Sequence, residues 1–480
     1  MSQLASNWGL VSFICGVYND PSMSKTAYQD ALDYLYSYID YSIKRSYRYS
    51  AEVFELQRVI DLLEALGNPH LRIKAFHVAG TKGKGSVSAL IASVLQEAGY
   101  KTGLYTSPHL SRFNERIMIN GEPIPDLDFV TLVEAVKPKV ESIPGLTVFE
   151  ILTAMAFTYF AEQGVEYAAV EVGLGGRLDA TNVLAPIITV ITSLSYDHMH
   201  LLGESLSDIA REKAGIIKSG IPVILAPQQI EAGSVVESVA EAKGSPLIRV
   251  GHDWLYSHGT HNFDDQTLYI WSRAEQPLMD SFVDSAGGDE WTPPRYQIPL
   301  LGHHQVVNAA VAYAAIAEAR NSGLDVKEAD IQAGFRNVSW LGRFQILTRD
   351  PIIVVDVAHN RDSALKLRIA LDDYFPGQPV TMIFGASADK DIEGMLAELR
   401  PRVSRFAVTQ ADHPRAENPE VLAGFAHSHG VRVEEFARVE KALQWAIENS
   451  RPGEVILVTG SIFIVGEAIE AMKEIDLERD

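Results

Sequence analysis

Lys84 and Ser86 stand in the run A-F-H-V-A-G-T-K-G-K-G-S, Ala75 to Ser86, punctuated by Gly80, Gly83 and Gly85. Glycines let backbone N–H groups close around an anion, and a lysine adds a point charge. A serine hydroxyl suits a magnesium ion, so the run has the chemistry of a phosphate cradle. Glu171 ends the apolar run Y-A-A-V-E, the position of a magnesium-side acid in many nucleotide enzymes. Asp197 and His198 are adjacent, a pair suited to holding a metal or handling a proton. Lys213 lies among Ala214, Ile216 and Ile217. Apolar surroundings favour a neutral amine, which reacts with carbon dioxide to give a carbamate, turning a cation into an anion able to bind magnesium. Arg112 and Arg116, in T-S-P-H-L-S-R-F-N-E-R-I, have the fork geometry for a substrate carboxylate. Asp356, His359 and Asn360 close a further apolar run. Each has a plainer reading too: a strand that happens to end in Glu, solvated loop arginines, an exposed helix lysine.

The elements that must position these residues read as alternating strands and helices. Ala75–Ala79 is a short buried strand, and Val87–Ala98 is a helix stopped by Gly99, whose start adds a favourable dipole for an anion. Further strands are predicted at 102–106, 167–171, 187–192, 222–226 and 247–250, with helices at 26–36, 47–66, 126–140, 147–163, 206–217 and 305–318. Residues 252–296 read as paired strands and a loop. Beyond about Asn337, runs at 352–357, 380–384, 405–409, 431–436 and 455–459 alternate with helical segments, the pattern of a doubly wound, mostly parallel sheet. Ligands of such sheets bind at the carboxyl ends of the strands, where Asp197, His198, Asp356, His359 and Asn360 fall.

With 480 residues, two or three domains are expected. The predicted division is 1–336, with 1–25 set apart as a leader, and 337–480. A hydrophobic content of 47% and a charged content of 21% suit a soluble globular protein. The net charge of −21 argues against nucleic acid as a partner, since phosphates need a basic face. The single cysteine, Cys15, excludes a disulfide framework and points to a reducing compartment. No run approaches the ~20 apolar residues of a membrane helix, and no basic residue precedes the apolar patch Trp8–Val17, so no secretory signal or membrane partner is expected. The expectation is a cytoplasmic monomer.

The loop departs from the generic P-loop, with Val78 where that pattern has Gly and Gly85 directly after the lysine. G-T-x-G-K-G-S instead resembles the ATP loop of the Mur-ligase superfamily, in its folylpolyglutamate and dihydrofolate synthase branch, with Lys82 where Asn is usual. The strings T-S-P-H-L, E-V-G-L-G-G-R-L-D-A-T-N, E-K-A-G-I, W-L-G-R-F and D-V-A-H-N follow in the family's order, Val357 replacing a usual Gly.

The resemblance implies an α/β fold: a P-loop ATPase domain with a mostly parallel sheet plus a C-terminal Rossmann-like doubly wound domain. It implies ATP-dependent addition of L-glutamate to folates, and to dihydropteroate, through an acyl phosphate. ATP would lie on Gly80, Thr81, Gly83, Lys84, Gly85 and Ser86, gripped by Asn308 at the adenine and by Arg343, Asp356 and Asn360. Two magnesium ions would be held by Ser86, Glu171, His198 and a carbamylated Lys213. Ser107, Pro108, His109, Arg112, Phe149 and Asp179 would meet the folate or dihydropteroate. Lys84, Lys213, His198 and His359 would act in catalysis.

Two rivals predict other features. A muramyl-peptide ligase would carry a nucleotide-sugar domain before the loop, where this chain reads as helices. A nucleotide switch would carry a guanine-reading N-K-x-D, which is not found.

Overall fold

A computed structural model of the chain describes residues 21–38, 55–285, 287, 291–428 and 432–477. The expected leader lies almost wholly outside these residues, as does the first part of the helix predicted over 47–66.

Eight strands form the first sheet: β1 (Lys74–Ala79), β2 (Thr102–Tyr105), β3 (Ile117–Ile119), β4 (Glu122–Pro123), β5 (Tyr167–Glu171), β6 (Ile188–Ile191), β7 (Val223–Leu225) and β8 (Leu247–Arg249). Their order is β4-β3-β2-β5-β1-β6-β7-β8. Only β3 and β4 run antiparallel to their neighbours. Successive side chains of a strand face opposite ways, and helices cover both faces. Phe76 and Val78 of β1 pack with the helices Lys84–Glu97, His303–Asn321 and Glu328–Asn337. Ala75 packs on the other side with Leu56–Ala65, Asp126–Val140 and Val148–Glu162. The alanine-rich run of His303–Asn321 is almost entirely buried. At Gly334 a Cβ would come to 2.5 Å from Val94 Cα, so the two helices touch backbone to backbone.

An antiparallel sheet follows, β11-β10-β9, built from β9 (Trp254–His261), β10 (Gln266–Ser272) and β11 (Arg295–Ile298). It joins the same core through Leu268, Ile270 and Ile298. The paired strands expected over 252–296 are present, but the intervening segment contains a helix, Gln276–Asp284, with proline in its first turn.

The third sheet has the order β12-β13-β17-β14-β15-β16. Its members are β12 (Gln345–Arg349), β13 (Ile352–Asp356), β14 (Val380–Phe384), β15 (Val403–Val408), β16 (Arg432–Glu435) and β17 (Val455–Thr459). All pairs but β12–β13 are parallel. Val354, Met382 and Phe406 face one helical layer, while Ile353, Ile383 and Ala407 face another. This is the doubly wound arrangement expected, with helices on both faces.

The helix expected over 206–217 stops at Ala214. A Cβ on Gly215 would come to 2.4 Å from the Arg177 side chain, so the chain turns beneath the glycine-rich segment at 173–176. No helix among the described residues is long and apolar enough to cross a membrane.

Candidate active site

β1 pairs in parallel with β5 and β6, so the carboxyl ends of three strands open on one edge. Beyond β1 the chain enters the glycine loop. Gly80 has φ +154, and a Cβ there would fall 1.8 Å from Thr192 Oγ1. Gly83 has φ +87, and its Cβ would come to 2.2 Å from Asn308 Oδ1. The loop therefore lies flat against β6 on one side and the alanine-rich helix on the other. Gly85 sits against the Trp340 ring, and Ser86 is buried in the first helical turn. Thr81 clamps the loop's rim: its N–H donates to Ser193 O (2.9 Å) and its hydroxyl to Ser195 O (3.1 Å). Asn308 is buried and donates to Gln305 Oε1.

Glu171, at the tip of β5, is buried with Lys84 Nζ 3.6 Å from its Oε1. Its Oε2 accepts from the Ser107 N–H (3.3 Å). Burial raises its pKa, and Lys84 opposes that shift. Lys213 is buried and donates to Gly80 O (2.9 Å). Burial, followed by repulsion from Lys84, lowers its pKa to about 7. The neighbouring Glu212 cannot neutralise it, because Glu212 Oε1 pairs with Arg177 (2.9 Å). Past β6, Asp197 accepts from Lys82 Nζ (2.9 Å) and from Asn360 Nδ2 (2.9 Å) of the third-sheet region, with Lys390 Nζ at 4.0 Å. Burial works against the Asp197 charge, but Lys82, His198 and Lys390 prevail and hold its carboxyl far below the usual range. His198 takes a left-handed backbone (φ 50) beside it. Burial lowers its pKa to about 4, against the pull of Asp197.

From the third sheet, His359 directs Nδ1 at Val357 O (2.9 Å) and Nε2 at Lys82 Nζ (3.4 Å). A carbonyl accepts only, so Nδ1 carries the proton and Nε2 is the acceptor. Burial keeps this ring neutral. Asp356 accepts from the N–H groups of Phe344 and Ala358 (both 2.8 Å), and burial raises it to about 6. Arg343, next to Trp340, is electrostatically coupled to both Asp356 and Glu171.

On the other flank, Ser107 and Pro108 lead to His109, whose Nδ1 accepts from Arg116 Nε (3.0 Å). The His109 ring lies between Phe113 and Phe463 of the C-terminal helix. Phe149 packs under Gly173, where a Cβ would approach it to 2.4 Å. Two of the expected substrate residues have partners within the chain. Arg112 makes two bonds to Asp126 (2.8 and 2.9 Å) on the exposed side of its loop, so its fork is committed within the chain. Asp179 is buried and accepts from the Leu174 N–H (2.9 Å) and the Thr181 N–H (3.0 Å), the posture of a turn organiser rather than of a free acceptor.

The chain matches the Mur ligase middle domain over residues 78–316 and the Mur ligase glutamate ligase domain over 342–462. It is 34% identical, over 93% of its own length and 100% of the relative's, to a dihydrofolate synthase/folylpolyglutamate synthase of Bacillus subtilis. The chain belongs to the Mur ligase family, in its folylpolyglutamate and dihydrofolate synthase branch. Among solved structures, Escherichia coli FolC in complex with DHPP and ADP superposes with a TM-score of 0.78 at 32% identity, covering 94% of this chain and 98% of that one. Mycobacterium tuberculosis folylpolyglutamate synthase complexed with ADP and AMPPCP gives 0.79 at 28% identity, over 94% and 98%.

This Mur ligase is an ATP-dependent ligase, and its site contains residues that sequence reasoning passed over. Lys82 stands out: half-buried, paired to Asp197 and touching His359. A second lysine two places before Lys84 was the visible signal. Glu115 is another, accepting from the N–H groups of Leu110 (2.6 Å), Ser111 (3.0 Å) and Arg112 (2.7 Å) and so shaping the loop beside Ser107–His109. Lys390 and Trp340 complete the set. The buried oxygens of Ser86 and Glu171 are the hard donors that magnesium takes. Lys213 fits such a set as an oxygen donor and repels it as an ammonium.

Proposed function

We propose that this chain adds L-glutamate to the side-chain carboxylate of folates, and to dihydropteroate, at the edge where Lys84, Glu171 and Lys213 converge. The single observation carrying this reading is that convergence beneath a glycine loop, faced across the cleft by His359 and Asn360. The loop N–H groups and Lys84 receive the phosphates of ATP, as P-loops do. The pterin-side loop at Ser107–His109 lies beside the same Glu171.

A carboxylate is a poor electrophile. One of its oxygens attacks the γ-phosphorus, ADP departs, and an acyl phosphate forms. The amine of glutamate, having lost its proton, attacks the acyl carbon; the C–N bond forms and inorganic phosphate leaves. Lys84 and the loop stabilise charge on the transferring phosphoryl group. The neutral Nε2 of His359 is a proton acceptor on the side from which glutamate would enter. Asn308, Arg343, Asp356 and Asn360 grip the nucleotide from the cleft walls, and closure of the cleft excludes water.

Ser86, Glu171, His198 and carbamylated Lys213 would hold two magnesium ions, which when bound neutralise phosphate charge. Lys213 becomes the carbamate when its neutral nitrogen bonds the carbon of carbon dioxide and the adduct loses a proton. The proposed division falls near residue 336, and the protein is proposed to work as a cytoplasmic monomer.

The test is ADP release in the presence of glutamate with either dihydropteroate or a reduced folate, read beside mass spectrometry of the pterin product. The expected result is one glutamate unit gained per ADP. Equal ADP release with and without the pterin overturns the reading.

A further inference from the structure

Far from the phosphate loop, β9 presents two histidines to the third-sheet region. His258 is opposite Leu268, and His261 is opposite Gln266. Two steps of β10 thus match three steps of β9, the count of a β-bulge. Directly opposed residues share a face, and Leu268 and Gln266 lie on one face of β10. The bulge therefore turns both histidines to one side, which a regular strand would not do at this spacing.

Their rings stack with centroids 5.4 Å apart. Asp373, on the helix Arg361–Tyr374, brings Oδ1 to 3.7 Å from His261 Nε2. A ligand atom from each of His258, His261 and Asp373 lies within 4.8 Å of the others. The Nε2 of His258 is buried and has no hydrogen-bond partner. A buried imidazole nitrogen left without a partner is costly unless something else completes it.

Neighbouring groups hold the cluster in place. The Tyr374 ring packs on His261 at 4.5 Å, and its hydroxyl donates to Gln266 Oε1 (3.2 Å). The His303 ring stands 5.9 Å from His258.

We propose that His258, His261 and Asp373 form a zinc-type divalent metal site that clips β9 to the helix Arg361–Tyr374. Two imidazoles and one carboxylate with an open fourth position suit zinc. Ligand atoms around a tetrahedral zinc lie about 3.3 Å apart, given bonds of about 2.0–2.1 Å. Rotation of the exposed Asp373 and His261 side chains supplies that contraction. His303 or a water takes the fourth place. The bound ion would tie the antiparallel sheet to the C-terminal region and so stabilise the closed arrangement of the chain. It is separate from the proposed phosphate-site magnesium set of Ser86, Glu171, His198 and carbamylated Lys213.

The test uses the full chain, stripped with a chelator and held in excess magnesium and ADP to occupy the phosphate site. Zinc is titrated in by calorimetry, and cobalt is substituted to read coordination from its visible absorption. Wild type is expected to bind one zinc per chain, to show four-coordinate cobalt bands and to gain thermal stability. His261→Ala and Asp373→Asn, both at solvent-facing positions, should weaken binding at least about tenfold, the scale on which metal sites respond to losing a supporting group. Both should keep glutamate ligation and the metal-free melting temperature. Unchanged zinc affinity in both variants, or no magnesium-resistant zinc binding in wild type, overturns the site.

Discussion

Lys82 and Asp197 form an ion pair, 2.9 Å from nitrogen to oxygen and with side chains only 13% and 12% exposed, at the seam between the first and third sheets. Asn360 donates to the same carboxylate from the far side of that seam. Removing one partner of a buried pair leaves the other charge uncompensated, at a cost of ~3–5 kcal/mol. Lys82→Met should therefore lower the denaturant midpoint clearly. Lys82→Asn, which keeps a donor and restores the residue usual in the family, should lose less. The pair also sets an acid limit: the Asp197 carboxyl is depressed in the fold, so its contribution is present above the unfolded value near 4 and is lost as pH falls below it. Urea titrations at pH 7 and pH 3.5 should show the mutant's deficit shrinking in acid; an equal deficit at both places the stabilisation elsewhere.

Lys213 should be nearly inactive as Lys213→Ala, with partial rescue by acetate. Lys213→Arg should fail too, keeping a positive charge without forming the adduct. With its pKa lowered to about 7, the neutral amine population rises from pH 6 to pH 8, and activity limited by the adduct should rise with it. For stability the sign is the same: the desolvation cost is fully present below about pH 7 and is relieved as pH climbs towards 10. Removal of bicarbonate from the assay should lower turnover, and an active Lys213→Arg enzyme would end this account.

Lys84→Ala should lose two to three powers of ten in turnover, roughly the scale of deleting one charge partner of a transition state. Circular dichroism should show the fold intact. Near-normal turnover from the folded variant would remove Lys84 from the phosphoryl step.

Asp179→Ala should lower stability by ~1–3 kcal/mol, since the turn donors of Leu174 and Thr181 lose their acceptor. Folate and dihydropteroate use should fall together. A loss confined to dihydropteroate, with the melting temperature unchanged, would instead establish a direct contact with the pterin.

Much of this was legible because it is local. Gly80 to Ser86, and Glu171 at the end of a fully buried strand, announce themselves by residue type and strand end. Lys213 was legible through the apolar residues that follow it. Lys82 was not, because its partners are 115 and 277 residues away and no window of sequence contains them. The partner of Arg112 was hidden in the same way: Asp126 meets its fork from the next helix. The hairpin of β3 and β4 had a signal, Asn120–Gly121 with φ of 50 and 80, the dipeptide of a two-residue turn. Its flanking strands are too short for alternation to show. The helix at Gln276–Asp284 was hidden in a stretch otherwise read as strand and loop.

Glu171 divides its two oxygens between different neighbours, Lys84 on the side proposed for the nucleotide and the Ser107 amide on the side proposed for the pterin. One rigid carboxylate cannot be reoriented for one neighbour without being reoriented for the other. A ligand that turned this carboxylate from one of the proposed pockets would turn it for the other as well. Such reciprocity between affinities is a thermodynamic necessity wherever two ligands share a responsive group. Any coupling between the two proposed sites would then run through the end of β5, equally in both directions.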